Sequence, residues 1–176
     1  MTANPVHSWR VLILPYLAED ELYSEFAMDR SWNHPENVDV SYQSPAVFRH
    51  PTFAGNYRTL SAYYLVTGPN TLFPPEGPLG PADVGDSPGK TVLVVEGVPT
   101  ANSGQWTEPI DLDFTQMKGQ VNSGFSGEPG GLLEDGAALV TVDGVGHFAS
   151  EKMPPATFRA LVTPNGGERL PDDVFD

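Results

Sequence analysis

The 176-residue chain contains no cysteine. Disulfides, thiolate metal sites and cysteine nucleophiles are therefore excluded. Cations are scarce: nine Lys and Arg stand against 23 Asp and Glu, a formal net charge of -14 at pH 7. Binding to phosphate backbones needs several neighbouring cations, and none cluster here, so nucleic acid is not an expected partner. Long hydrophobic runs are also missing. No stretch approaches the ~20 apolar residues of a spanning helix, so no membrane span is expected in this chain. The early apolar run at 11–14 is closed by Pro15 and is too short for a secretory signal.

What the chain does have is turn-formers and a core. Gly and Pro number 18 each, while hydrophobic residues make up 39%. That balance suits one domain, 1–176, with many loops and short elements. Residues 1–7 and 170–176 are expected to be flexible ends.

Ser8 is placed to cap a short helix over 9–14. Pro15 fits the first turn of a second helix running to about Phe26, with Leu17, Leu22 and Phe26 on one face and Glu19, Asp20 and Glu21 outward. Residues 29–51 read as irregular. The segment 62–66 (AYYLV) reads as a strand, and 70–89 as a long Pro/Gly loop. The continuous apolar run 91–95 (TVLVV) reads as a central strand buried on both faces. Residues 101–130 are loop-rich. The stretch ALVTV-DG-VGHFA predicts a hairpin with Asp143-Gly144 as a two-residue type I′ turn. That register sets Val142 opposite Val145, Val140 opposite His147 and Leu139 opposite Phe148. Pro154-Pro155 then opens a last helix, PATFRALV. The order of elements indicates an α+β fold.

Several motifs resemble chemistry and fail on inspection. GDSPGKT (85–91) matches Gly-x-Ser-x-Gly around Ser87. A nucleophile elbow follows a strand and opens a helix, whereas a strand follows here. The next residue, Pro88, also has no N–H for an oxyanion hole. As a phosphate loop the segment lacks glycine at 84, where Val84 stands, and it leads into a strand. His7, His34, His50 and His147 are scattered without a metal-ligand spacing. No catalytic residue and no cofactor-binding residue is assigned. Asp111 and Asp113 would share one face of a strand, and Asp172 and Asp173 crowd the tail. These four are the candidate oxygen ligands for a structural calcium, against a default of solvated acidic loops. Trp9, Trp32 and Trp106, with Tyr63 and Tyr64, are the aromatic set for a sugar platform, against a default of core packing.

Taken in order, the segments resemble one family, the planctomycete prepilin-like proteins of the domain-of-unknown-function type DUF1559. The residues that carry the likeness are Ser8 to Val11, Leu14 to Leu17, Leu22-Tyr23 and Trp32 with Asn37. VFRHP, YYLVTGPNTLF and GKTVLVVEG with Glu96 continue it. WTEPIDLDF, with Trp106, Pro109 and Asp111, and the closing VTVDGVGHFAS hairpin complete it. Two departures stand: Leu133 occupies the place of the family's signature histidine, and no prepilin leader or long hydrophobic helix precedes Ser8.

The resemblance implies a pilin-like or pseudopilin-like head. An N-terminal helix packs on a mostly antiparallel sheet, and a short C-terminal helix follows. It implies an extracytoplasmic location in the periplasm or at the cell surface, and no enzymatic activity. Partners would be other pilin-like subunits or cell-surface components. Calcium at Asp172 and Asp173 is implied only by analogy with pseudopilin acidic loops. The alternative is a carbohydrate or small-molecule binding module, or a hydrolase, with its site in the loops 70–89 and 101–130.

Overall fold

The computed structural model describes residues 6–51, 59–97, 104–125, 127–131 and 134–175. The expected flexible ends fall partly on 1–5 and 176, outside the described residues. The chain forms two compact units: Met1–Ala62 with Pro99–Ile110, and Tyr63–Val98 with Asp111–Asp176.

The first unit is helical. Ser8 caps α1 (Trp9–Leu12), its hydroxyl accepting from Arg10 N at 3.2 Å, as the sequence predicts. A 3-10 turn follows over Leu14–Leu17 and ends at Ala18 in the left-handed conformation (φ 58). That break corrects the expected continuous helix from Pro15 to Phe26, because α2 spans only Asp20–Glu25. Residues 29–51 are not irregular throughout. They hold α3 (Pro35–Ser41), begun by His34 as N-cap and Pro35 in the first turn, where a missing N–H costs nothing.

Val11, Leu14, Leu22, Phe26, Val40, Phe48 and Trp106 form this unit's core. Trp106 is fully buried and stacks on Phe48 at 5.8 Å. Its indole N–H donates to Ser41 O at 2.9 Å, so the polar end of the ring is satisfied. Asn37, also fully buried, cross-links the helix to the 27–31 turn. Its Oδ1 accepts from Ala27 N at 2.8 Å, and its Nδ2 donates to Ala27 O and Ser31 O at 3.2 and 2.9 Å. The buried Arg10 guanidinium donates to Ser61 Oγ at 2.9 Å and Ser8 Oγ at 2.8 Å, which offsets part of its desolvation.

The second unit holds the sheets, and the chain as a whole is α+β, as expected. The main sheet is antiparallel in the order β1-β3-β5-β6, with β1 Tyr63–Tyr64, β3 Val92–Glu96, β5 Gly136–Thr141 and β6 Gly146–Ser150. Strand β3 is internal, as its apolar run predicts. The expected single strand 62–66 is instead split. Leu65 separates β1 from β2 (Val66–Thr67), which pairs in parallel with β4 (Leu112–Asp113) in a second small sheet. Helix α4 (Pro155–Val162) buries Phe158, Leu161 and Val162 against this unit, matching the predicted closing helix. Gly119 lies directly beneath it. A Cβ there would sit 2.6 Å from Pro155 O, and its φ of 85 is one that other residues rarely adopt.

The closing hairpin departs from the expected register by one residue. Gly144 N donates to Thr141 O at 2.9 Å and Thr141 N to Val145 O at 3.0 Å, with Gly144 at φ 82. The loop is therefore three residues long, Val142-Asp143-Gly144, ending in a left-handed glycine bulge rather than a type I′ turn. His147 consequently faces Leu139, Phe148 faces Ala138, and Val140 faces Gly146. Val142 leaves the ladder because its N–H goes to Thr91 O at 2.9 Å, a contact that turn chemistry alone does not contain. Slipping by one residue moves His147 onto the core face with Leu139 and Ala149.

Candidate functional site

In the second unit the loop 70–89 and the segment 163–170 frame two adjacent grooves. One has a volume of about 310 Å³ and is lined by Asp86, Ser87, Lys90, Glu168, Arg169 and Leu170, among others. The other, about 400 Å³, is lined by residues that include Asn70, Thr71, Leu79, Asn165, Gly166 and Glu168. Glu168 borders both.

Backbone hydrogen bonds tie the two walls together. Gly85 N and Asp86 N both donate to Pro164 O, at 3.0 and 2.9 Å. Asn165 Oδ1 accepts from Gly85 N at 2.7 Å while its Nδ2 donates to Asp83 O at 3.0 Å. The Asp86 carboxylate accepts from Gly166 N at 2.8 Å and from Gly167 N at 3.1 and 3.3 Å. Successive backbone amides of this kind form an anion-binding nest, and here the chain's own carboxylate fills it. Asn-Gly-Gly is legible as a turn, but nothing local shows that its partner lies 80 residues upstream.

The tail lines the first groove. Lys90 Nζ donates to Leu170 O at 3.2 Å and to Asp172 Oδ1 at 3.0 Å. Three residues on, the Phe175 ring stacks on His147 at 4.1 Å between centroids.

Ser87 is not a nucleophile elbow. It precedes a single 3-10 turn, Pro88–Lys90, that leads into β3, and Pro88 leaves no amide for an oxyanion hole. Among the described residues lining its groove there is no histidine to serve as a base.

The four calcium candidates do not form one site. Asp111 Oδ1 accepts from Leu65 N at 2.9 Å and bridges the gap between β1 and β2. Asp113 Oδ1 accepts from Thr115 N and Thr115 Oγ1 at 2.8 and 2.7 Å, closing a local turn. Asp172 pairs with Lys90, and Asp173 is exposed. Among the described residues no group of three or more His, Asp or Glu side chains is placed to hold a metal ion.

The aromatic set divides likewise. Trp106 is enclosed in the first unit's core and offers no face to a sugar, and Trp32 packs against that core. Trp9 meets Phe48 edge-on at 6.3 Å and carries the Arg10 guanidinium 4.7 Å over its ring. Tyr63 and Tyr64 belong to β1 in the second unit.

Other acidic side chains act as backbone clamps. Glu128 is buried and receives three consecutive amides, from Lys118, Gly119 and Gln120, at 2.6, 2.8 and 2.9 Å. Glu96, also buried, accepts from Ala138 N at 3.0 Å across the sheet. Burial raises the Tyr63 hydroxyl above its ordinary pKa, and the charge of Glu96, its cross-strand partner, adds to the effect. At the hairpin tip the Thr141 hydroxyl, then the Val145 amide, hold the Asp143 carboxyl below its usual range.

Residues 1–87 match the family model described as a protein of unknown function (DUF1559). No curated protein matches the chain, and no solved structure does.

Proposed function

We propose, on the premise that residues 1–87 belong to the DUF1559 family, that this chain is a non-enzymatic structural or assembly module of the pilin or pseudopilin kind. It works outside the cytoplasm, at the periplasmic side or the cell surface, among other pilin-like subunits or surface components. It needs no cofactor. The observation that carries this reading is the use of its acidic side chains. Asp86, Asp111, Glu128 and Asp143 each accept protein N–H or O–H donors and pin a loop or strand end. A chain that spends its carboxylates on its own backbone is built to hold shape. The first unit also exposes Leu12, Tyr16, Tyr42 and Val47, with Tyr16 87% accessible, which is apolar surface suited to subunit contact.

A photo-crosslinking residue at Tyr16 in the native cell tests this. The expected result is an envelope-fraction adduct with a second copy or with another subunit of the same family. A chain found only in the cytosol, with no such adduct, would refute it.

A second reading rests on the paired grooves, because the long 70–89 loop does line them, with Asn70, Thr71 and Leu79 beside Asn165 and Glu168. In that reading the second unit binds a small polar molecule or sugar. Calorimetric titration with a panel of mono- and disaccharides separates the two: saturable heat that vanishes in Glu168→Ala favours binding.

A further inference from the structure

Asn165-Gly166 has the sequence of a spontaneously deamidating pair, since glycine offers no side chain to hinder its own nitrogen. In that reaction the Gly166 backbone nitrogen attacks Asn165 Cγ. The new N–C bond closes a succinimide ring. The Cγ–Nδ2 bond breaks, and the side-chain nitrogen leaves as ammonia with the proton from the backbone amide. Water then opens the ring to aspartate or isoaspartate. No oxidant or cofactor enters.

All three reacting groups are held by one loop. The Asn165 carbonyl oxygen accepts from Gly85 N at 2.7 Å, and its Nδ2 donates to Asp83 O at 3.0 Å. The attacking nitrogen, Gly166 N, donates to Asp86 Oδ2 at 2.8 Å. Attack requires the side chain to swing toward Gly166 N and that N–H to lose its proton. Both changes break bonds to 83–86. Yet Asn165 and Gly166 are solvent-exposed, so base and water reach them as soon as the clasp opens. A Cβ at Gly166 would meet only the end of the exposed Glu168 side chain, so the close neighbour there is one that can swing aside.

We propose that Asn165 is a latent modification site, kept intact by the 83–86 clasp and converted to aspartate or isoaspartate when the clasp opens. Conversion is one-way in effect. It replaces the Nδ2 donor with a carboxylate oxygen facing Asp83 O and removes that bond from the rim of the larger groove. The loop 70–89 then loses a tie to 163–168, and the groove widens irreversibly with age.

The test incubates the full chain in mildly alkaline buffer and follows amide-to-acid conversion at Asn165 by peptide mapping and mass spectrometry. The free peptide TPNGGER serves as reference. The rate follows the fraction of open clasps, so about tenfold slower conversion in the folded chain corresponds to about one clasp in ten open. The folded chain is expected to be at least that slow. Asp86→Ala should bring the rate toward the peptide's, and Asp86→Asn, which keeps an acceptor, should fall between. Near-ultraviolet dichroism checks that each variant is folded. If Asp86→Ala does not fold, Asp86→Asn and the hydrogen-exchange protection of Gly166 N–H in the unaltered chain carry the test. A folded chain converting as fast as the peptide overturns the proposal. So does a folded Asp86 variant with an unchanged rate, or with a slower one, which would make the carboxylate a base rather than a guard.

Discussion

Phe48 and Trp106 lie 58 residues apart and stack with their rings 5.8 Å apart and 16° from parallel, inside a core otherwise built from α1 to α3. The pair joins the 104–110 segment to the helices of the first unit, and the indole bond to Ser41 O fixes its orientation. Trp106→Ala should therefore cost about 3–5 kcal/mol, as a large buried aromatic does. Trp106→Phe should cost less but still leave Ser41 O without its indole donor. Urea unfolding followed by far-ultraviolet dichroism measures both, and a change under about 1 kcal/mol for the alanine variant would contradict this packing.

Glu128 clamps three successive amides with one carboxylate. Glu128→Ala leaves Gly119 N buried without an acceptor, and a loss on the order of 2–3 kcal/mol is expected from bonds to a charged group. Amide exchange at 118–120 should accelerate before the rest of the second unit. Unchanged protection at those amides would show that the clamp is dispensable.

The hairpin tip makes stability depend on acid. The Asp143 carboxyl is held below its usual range in the folded chain, chiefly by Thr141 Oγ1. Its stabilising contribution is present above the ordinary carboxyl pKa and is lost as pH falls through the depressed folded value. Asp143→Asn should flatten the acid limb of the stability curve in the range below about pH 4. An identical acid limb in the variant would disprove the linkage.

At the other end of the scale, Tyr63 is shifted up by burial and then by Glu96. Its contribution is intact below the ordinary tyrosine pKa of about 10 and declines as pH rises from there through the raised folded value. Tyr63→Phe should remove that part of alkaline destabilisation. Melting temperatures recorded across the alkaline range decide it.

Calcium should leave the melting temperature unchanged, with or without chelator, because three of the four candidate carboxylates already hold protein donors: Asp111 on Leu65 N, Asp113 on Thr115 and Asp172 on Lys90. A saturable upward shift would mean that an ion binds the native state and displaces those donors.

Much of this fold follows from local rules. Ser8 caps α1 because its hydroxyl reaches an amide two residues on. Pro155 opens α4 because the first turn needs no N–H there, and β3 is internal because its run is apolar on both faces. Helix α3 is not legible in the sequence because its buried polar residue, Asn37, makes its first turns look hydrophilic, whereas in place it satisfies three backbone groups. Of the candidate calcium ligands, Asp113 bonds locally to Thr115, while Asp111 and Asp172 have partners far along the chain. Asp111 answers to Leu65, 46 residues away, and Asp172 to Lys90, 82 away.

The sequence by itself determined the composition of an acidic, cysteine-free α+β chain, the caps and turns that begin and end its elements, and the match of residues 1–87 to the DUF1559 family model. Tertiary structure alone decided the hairpin register, the burial of Trp106 and the clasp that joins 83–86 to Asn165. The reason is one of range. Capping and periodicity act over a few residues, whereas Val142 left its strand partner for Thr91 O, and Asp86 found its amides 80 and 81 residues along the chain.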